Sequence, residues 1–479
     1  MSTLPRIAVA FMISFFLLVS GCAVHKARMP GASVVLPAKF AEAAGDSMPA
    51  PAPGRWWESF GDKTLNTLMD EAFQQNLDLS QAYYRLKELK AVVRIMDSLR
   101  SPSLNLDASA GRLRQPGFSG AETSDSYSLS AAAGYEIDLW KKLASSIRAS
   151  RFDAMASYQD IKTLYISLSA QLADLYYLAV EQRAQLDLAD RTIVSFQDTL
   201  DRVEQRYREG LVAALDVYQS RQNLAAAKAQ RPVFESNLAV TLHTISVLLG
   251  RFPEKEIGGN TDSLPAVLPL SPGLPSELLA KRPDIESALL AVRASDERVA
   301  AAVADRFPSF NLTGALGGAS TALSSLLNSP NIFWSLLLNA AQPILDGGRR
   351  KAEVERTEAV FQENLMQYHK TVLLAFQEVE DALARGRNSE ERIAFLEDRE
   401  SAASEALRLA LDRYMHGLSD YLPVLTAQQL YYDAKSALLS ARRQLISDRI
   451  QLARALGEEW TEDVIRTRLD SDMRKESTL

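Results

Sequence analysis

The sequence predicts a mainly α-helical chain, built twice, that carries four strands and closes a small membrane β-barrel only as a trimer. Three observations predict this. The two halves of the 479-residue chain repeat each other at a nearly constant offset. Long segments carry an apolar three-four spacing, the period of a coiled-coil seam. Between them lie short stretches of apolar–polar alternation, the period of a strand with one face in an apolar medium.

The repeat comes first. "SPSLNL" at 101–106 matches "FPSFNL" at 307–312, and Asp138 answers Asp346. "RYREGLVAALDVYQSRQNL", from Arg206, answers "RYMHGLSDYLPVLTAQQLY", from Arg413, and "LLG" at 248–250 answers "ALG" at 455–457. The period is far longer than a solenoid repeat, so a whole module is duplicated. Each module predicts a helix (64–100; 275–306), two strands (104–113 and 126–140; 309–320 and 331–345) and two long helices (141–209 and 212–250; 349–416 and 419–457). The Pro/Gly-rich stretch 251–277 divides the copies. The expected organisation is a first repeat over 56–262, a second over 263–457, and a C-terminal tail over 458–479.

The strands rest on period two. In "YSLSAAAGYEIDLW", Tyr127, Leu129, Ala131, Ala133, Tyr135, Ile137 and Leu139 share one face, against Ser128, Ser130, Gly134, Glu136 and Asp138. Leu104, Leu106, Ala108 and Ala110 alternate with Asn105, Asp107 and Ser109. Such lengths suit tilted transmembrane barrel strands. The pattern at 331–345 is blurred, with Leu on both faces. The helices rest on a seam. Leu186, Ala189, Ile193, Phe196, Leu200, Val203 and Tyr207 answer Ile393, Leu396, Glu400, Ala403, Leu407, Ala410 and Tyr414. Segment 141–209, if continuous, reaches roughly 100 Å at 1.5 Å per residue. Gly210 and Gly417 end their helices as C′ glycines, and the return helix starts at once. "RYxxGL" is therefore the tip of a helical hairpin. Pro232 falls inside a helix that it should bend.

Composition removes whole function classes. A net charge of -7 argues against nucleic acid, which needs a basic face. His25, His243, His369 and His416 share no ligand spacing, so no metal site is expected. The single cysteine, Cys22, permits no intrachain disulfide. No cluster of His, Cys or paired acids has catalytic spacing, and no Gly-x-x-x-x-Gly-Lys phosphate loop is present. The chain is not read as an enzyme and no cofactor is expected.

The N-terminus carries Arg6, an apolar run from Ile7 to Val19, then "SGC", which fits a signal peptide over 1–21. "VSGC" resembles the lipobox of bacterial lipoproteins, which implies acylation of Cys22. Ala23, in place of Asp, favours the outer membrane by the same analogy. Residues 22–55, rich in Pro, Ala and Gly, read as a lipidated, extended and flexible lead. Two or more acyl chains anchor a protein stably.

Four strands cannot close a membrane barrel, and an open edge in lipid leaves backbone groups unpaired. Three chains give twelve strands, with twelve helical segments continuing as a tube. Two chains give eight, whose interior side chains fill; four give sixteen.

At this point the chain resembles the TolC-type outer-membrane factors, in the NodT-like lipoprotein branch of resistance-nodulation-division efflux systems. The resemblance runs from Trp56 to Gly457 through "AKRPDI" at 280–285, "FPSFNLTG" at 307–314, "PILDGGRRKAEVE" at 343–355, "AFQEVEDAL" at 375–383 and "RYMHGLSDYLPVLTAQQLYYDAKSALLSARRQL" at 413–445. It implies a homotrimeric duct, a twelve-stranded outer-membrane barrel continuous with a periplasmic α-helical coiled-coil barrel. It implies passive export of drugs or other toxic small molecules. Energy would come from an inner-membrane pump joined through a periplasmic adaptor, with outer-membrane lipids around the barrel.

The family closes its tube at the hairpin tips, which here hold Tyr207, Gly210, Leu211, Tyr414, Gly417 and Leu418. Leu422 falls where relatives place an apolar constriction, a device that gates by excluding water. Relatives carry an acid where this chain has Thr426, and often a base where it has Gln429. Asp420 and Asp216 are the acids that would replace the missing ring, although both also suit a helix N-terminus. Tyr207 and Tyr414 are expected to pack in the seam or to hydrogen-bond between helices. Arg206 and Arg413 are expected to pair with acids across the hairpins. Asp346-Gly347-Gly348 reads as strand-to-helix geometry, and Arg282-Pro283-Asp284 as a helix start. A protein-secretion duct and a poreless coiled-coil scaffold are the alternatives; the departures at the tip and the lipobox favour efflux over the first, and the strands argue against the second.

Overall fold

The structure is a computed structural model that describes residues 25–28, 37, 39–42, 54–117, 120–256, 264–265, 279–457 and 460–476. Cys22, the signal segment 1–21 and most of the 22–55 lead lie outside the described residues. The elements are α1 (Lys63–Gln75), α2 (Leu77–Ser98), β1 (Ser103–Gly117), β2 (Gly120–Ile137), α3 (Lys142–Arg208) and α4 (Ala214–Leu248). The second copy supplies α5 (Pro283–Ala304), β3 (Ser309–Ser320), β4 (Ile332–Ala341), α6 (Arg349–Met415) and α7 (Leu422–Leu456), followed by α8 (Thr461–Glu476). The copies match in length: α2 and α5 have 22 residues each, α3 and α6 have 67, α4 and α7 have 35. One module has folded twice. α4 runs unbroken through Pro232, for which the structure supplies no function.

The paired aspartates explain where the long helices start. Asp138 accepts from the backbone N–H groups of Leu143 (3.0 Å) and Ala144 (2.7 Å). Asp346 accepts from those of Gly348 (3.0 Å) and Arg350 (3.3 Å). Each satisfies donors that the first helical turn leaves unpaired. The helix expected over 64–100 is split at Asn76, a buried residue whose side chain and backbone together serve three elements. Its Oδ1 caps α2 by accepting from Leu79 N (3.0 Å), its N–H closes α1 on Ala72 O (2.9 Å), and its Nδ2 donates to Leu248 O (2.9 Å) at the end of α4. Arg282 holds the matching place in the second copy. Its Nη1 donates to Ala455 O (3.0 Å) at the end of α7 and to Glu378 (2.7 Å), while Asp284 takes its other nitrogens.

The four strands form one antiparallel sheet in the order β1-β2-β3-β4. Residues paired across strands project to the same face. The register therefore sorts the sheet completely. Leu104, Leu106, Ala108 and Ala110 pair with Ala133, Ala131, Leu129 and Tyr127. Those continue into Gly314, Leu316, Gly318 and Ser320. Gly314, Leu316 and Gly318 continue into Leu336, Trp334 and Ile332. The other face carries Asn105, Asp107 and Ser109 beside Ala132, Ser130 and Ser128, then Ala315, Gly317 and Ala319. The blurred strand is resolved by this register: Ile332, Trp334, Leu336 and Leu338 join the apolar face, and Leu337 opposes Thr313 on the other. The apolar face is bare, with Trp334 78% exposed.

The chain divides into two units. One comprises Met1–Ser33, Arg85–Tyr158 and Ser287–His369 and holds the sheet. Within it Val292, Val299 and Phe361 form a buried cluster, and buried Asp296 receives His25 Nε2 (2.8 Å) and the Arg28 backbone N–H (3.0 Å). The other comprises Val34–Tyr84, Gln159–Glu286 and Lys370–Leu479 and holds the hairpin tips. Within it buried Trp57 meets Trp460 (4.7 Å) and Phe73 (5.6 Å) edge-on. Phe40, from the lead that reads as flexible, is buried 5.9 Å from Phe376, and Glu380 accepts from the N–H groups of Ala41 and Glu42. The segment read as a plain tail contains α8, which Arg468 fastens to Phe73 O (2.7 Å) and Ser80 Oγ (2.8 Å).

Candidate functional site

The two "RYxxGL" phrases close their helices by the same hydrogen bonds. Gly210 N–H donates to Tyr207 O (3.0 Å) and Leu211 N–H to Arg206 O (2.9 Å). Gly417 N–H donates to Tyr414 O (3.0 Å) and Leu418 N–H to Arg413 O (2.8 Å). This pair of bonds is the Schellman motif, which needs a left-handed residue at C′. Gly210 and Gly417 supply it at φ 73° and 70°. Leu211 and Leu418, the next residues, are exposed.

Behind the tips lies a packed core of Phe196, Leu200, Val203, Val217, Leu224, Tyr414, Tyr421 and Val424. Most seam positions read from the sequence are buried or half-buried here. Tyr207 departs from its counterpart: it is 48% exposed, whereas Tyr414 is 3% exposed. The Tyr414 hydroxyl has no hydrogen-bond partner among the described residues, so its role is packing. An inter-helix hydrogen bond comes instead from Gln428, whose Nε2 donates to Thr199 Oγ1 (2.8 Å) on α3, while the Tyr421 hydroxyl faces Ser220 of the first hairpin. Arg206 reaches across as well, but not to an acid. Its guanidinium lies 4.8 Å above the Tyr414 ring and donates to Met415 O (3.2 Å). A cation over an aromatic face gains from the ring quadrupole.

Leu422, Thr426 and Gln429 lie three and four residues apart on α7, on the face opposite buried Val424, Ala427 and Gln428. Leu422 is 58% exposed. Thr426 Oγ1 turns back to donate to Leu422 O (3.1 Å), and Gln429 Nε2 donates to Asn223 Oδ1 (3.2 Å) on α4. Asp420 does not cap α7: the N-cap is Tyr421, with no side-chain cap bond. Asp216 lies in the first turn of α4, where Ala213 is the N-cap. Burial, then the nearby charge of Asp420, pushes the Asp216 carboxyl above the ordinary aspartate range. The structure thus brings the two acids into electrostatic contact from opposite hairpins. Ser220 and Tyr421, which face each other between those hairpins, carried no signal in the repeat, because their counterparts at the tip do not match.

No helix among the described residues is long and apolar enough to cross a membrane. The family model for outer membrane efflux proteins matches residues 68–251 and 274–458. The chain belongs to the outer membrane efflux protein family. The two matched segments are the two copies of the repeat. The chain is 30% identical over 422 residues to the toluene efflux pump outer membrane protein TtgF of Pseudomonas putida, covering 85% of each chain. It is 29% identical over 411 residues to the cation efflux system protein CusC of Escherichia coli O157:H7, covering 85% of this chain and 88% of that one. The solved outer-membrane channel OprN superposes with a TM-score of 0.86 at 29% identity, covering 92% of this chain and all of that one. This efflux protein is an outer-membrane channel that extends into the periplasm and has the TolC-like fold of trimeric channels, and its family is one of non-enzymatic transport proteins.

Proposed function

We propose that three copies of this efflux protein close one twelve-stranded barrel, pairing β1 of each chain with β4 of the next. The observation that carries the reading is the sheet itself. Its register separates a lipid-suited face from a polar one, and both edge strands are left without a partner. Within a bilayer an open edge leaves its N–H and C=O groups unsatisfied, and closure removes it. The tips then meet around a threefold axis, with Leu422 as an apolar constriction and Asp216 and Asp420 as an acidic ring beside it. Tyr207, Leu211 and Leu418, exposed in the single chain, are the tip residues that neighbouring chains cover. The export route serves small toxic molecules such as drugs, a class supported by relatives named for toluene and cation efflux. The efflux protein works passively with a periplasmic adaptor and an inner-membrane pump. Cys22 carries the lipid anchor, after removal of a signal over 1–21. The two repeats span 56–262 and 263–457.

Native mass spectrometry of detergent-extracted protein tests stoichiometry and anchor together. Trimers are expected, with each chain starting at an acylated Cys22. Dimers or tetramers contradict the barrel count, and an unmodified Cys22 contradicts the anchor.

A further inference from the structure

The loop between β3 and β4 points to a second membrane contact beyond the strands. Residues 321–331 are tightly organised. Ser320 and Ser325 share a hydrogen bond (2.6 Å), Ser325 Oγ donates to Ala322 O (3.0 Å), and Asn331 Nδ2 donates to Ser325 O (2.7 Å). Two short 3-10 turns, Leu323–Ser325 and Ser329–Asn331, fold the loop back on the sheet, and Leu326 is buried there.

The side of the sheet on which it lands is decided by Gly318. A Cβ at Gly318 would lie 2.2 Å from Leu326 O, so the loop backbone occupies the space a side chain would need. Gly318 pairs with Leu129 on one side and Ile332 on the other, both on the apolar face. The loop is therefore laid over the lipid-suited face and not over the polar one. A loop that narrowed the channel would cover the opposite face, at Gly317 and Ala319.

The height of the loop is fixed by the charges and rings around the sheet. On the apolar face, Ala110 and Tyr127 are followed at the next positions by Arg112 and Asp125, which pair with each other (3.4 Å). Ser320, where the loop departs, is level with Tyr127. At the other end, Trp140 stacks near Phe307 (4.9 Å) just before β3. Gly318 lies eight residue steps beyond Phe310, about 26 Å along the strand or roughly 20 Å of height at barrel tilt. A barrel's apolar band is about 25 Å tall and bounded by aromatic girdles. The loop thus sits at the outer rim of that band. It carries Leu323 and Leu327, both exposed.

We infer that residues 321–331 form an interfacial loop whose Leu323 and Leu327 insert into the outer-leaflet boundary of the bilayer. The occupant is lipid because the loop continues the bare apolar face at the level where that face meets charge. Polar Asn328 and the hydrogen-bonded serines remain at the water side, a division suited to a boundary.

Spin-label accessibility decides this. Leu323→Cys, Leu327→Cys, Trp334→Cys and Arg112→Cys are each labelled in the full chain, reconstituted in phosphatidylcholine vesicles, and the signal of the unsubstituted protein is subtracted. Power saturation is compared with oxygen, which concentrates in lipid, and with an aqueous nickel chelate. The expected result is an oxygen-to-chelate ratio at 323 and 327 that approaches Trp334→Cys and exceeds Arg112→Cys. Ratios at both loop positions equal to Arg112→Cys, while Trp334→Cys stays oxygen-dominated, overturn the inference. Both leucines are exposed, so either substitution leaves the packed core untouched.

Discussion

Asp216 is the residue whose chemistry departs most from its sequence context. An aspartate in the first turn of a helix is ordinarily favoured in its charged form. Here burial outweighs that preference, and the Asp420 charge adds to it, so the folded-state pKa is raised. The folded tip holds this proton more tightly than the unfolded chain does. The contribution of Asp216 to stability is therefore fully present below the ordinary aspartate range and is lost as pH rises through the raised folded value. Asp216→Asn mimics the protonated form. It is expected to raise the melting temperature at neutral pH, with the gain shrinking as pH falls through the window just above the ordinary range. A gain that does not vary with pH removes Asp216 from the charged cluster. The same acid pushes up the phenols of Tyr414 and Tyr421, whose own burial is the larger cause.

At the scale of elements, two glycines with the same backbone conformation separate strain from collision. Gly210 at a hairpin tip and Gly250 at the end of α4 have φ 73° and 72°. Nothing lies within 4 Å of a Cβ at Gly210, but one at Gly250 would lie 2.5 Å from Gln75 O. Gly210→Ala should cost only the left-handed penalty, about 1–2 kcal/mol. Gly250→Ala should cost clearly more, because α4 must draw away from the α1–α2 junction that Asn76 fastens. Melting of the two variants side by side checks the order; equal losses contradict the contact. Much of this level was legible in the sequence. The repeat placed Gly250 against Gly457 and Asp138 against Asp346, and the seam found Val203 and Leu407. The break at Asn76 was not legible, since it depends on a carbonyl at Leu248 far along the chain. Helix α8 was hidden because its sequence is largely polar and its anchors, Trp460 and Arg468, act through residues distant in the chain, Phe73, Ser80 and Tyr83 among them. The asymmetry of Tyr207 and Tyr414 was hidden for the same reason: identical phrases meet different neighbours.

For the whole molecule, twofold repetition within the chain and an unclosed sheet belong to one design. Duplication supplies two hairpins and four strands, and a barrel that excludes lipid from its edges requires further copies. On the proposed closure, the polar strand face lines the duct and the tip controls it. Arg206 on the Tyr414 ring and the Tyr421 hydroxyl facing Ser220 are two contacts between the hairpins of a chain. Single-channel conductance in a planar bilayer tests this most directly, comparing the unsubstituted efflux protein with the Arg206→Ala, Tyr421→Phe double variant. Small, rarely open currents are expected for the first and a larger, sustained conductance for the second, which lacks these two contacts. A correctly assembled oligomer that passes no current above the bare bilayer in either form would contradict it.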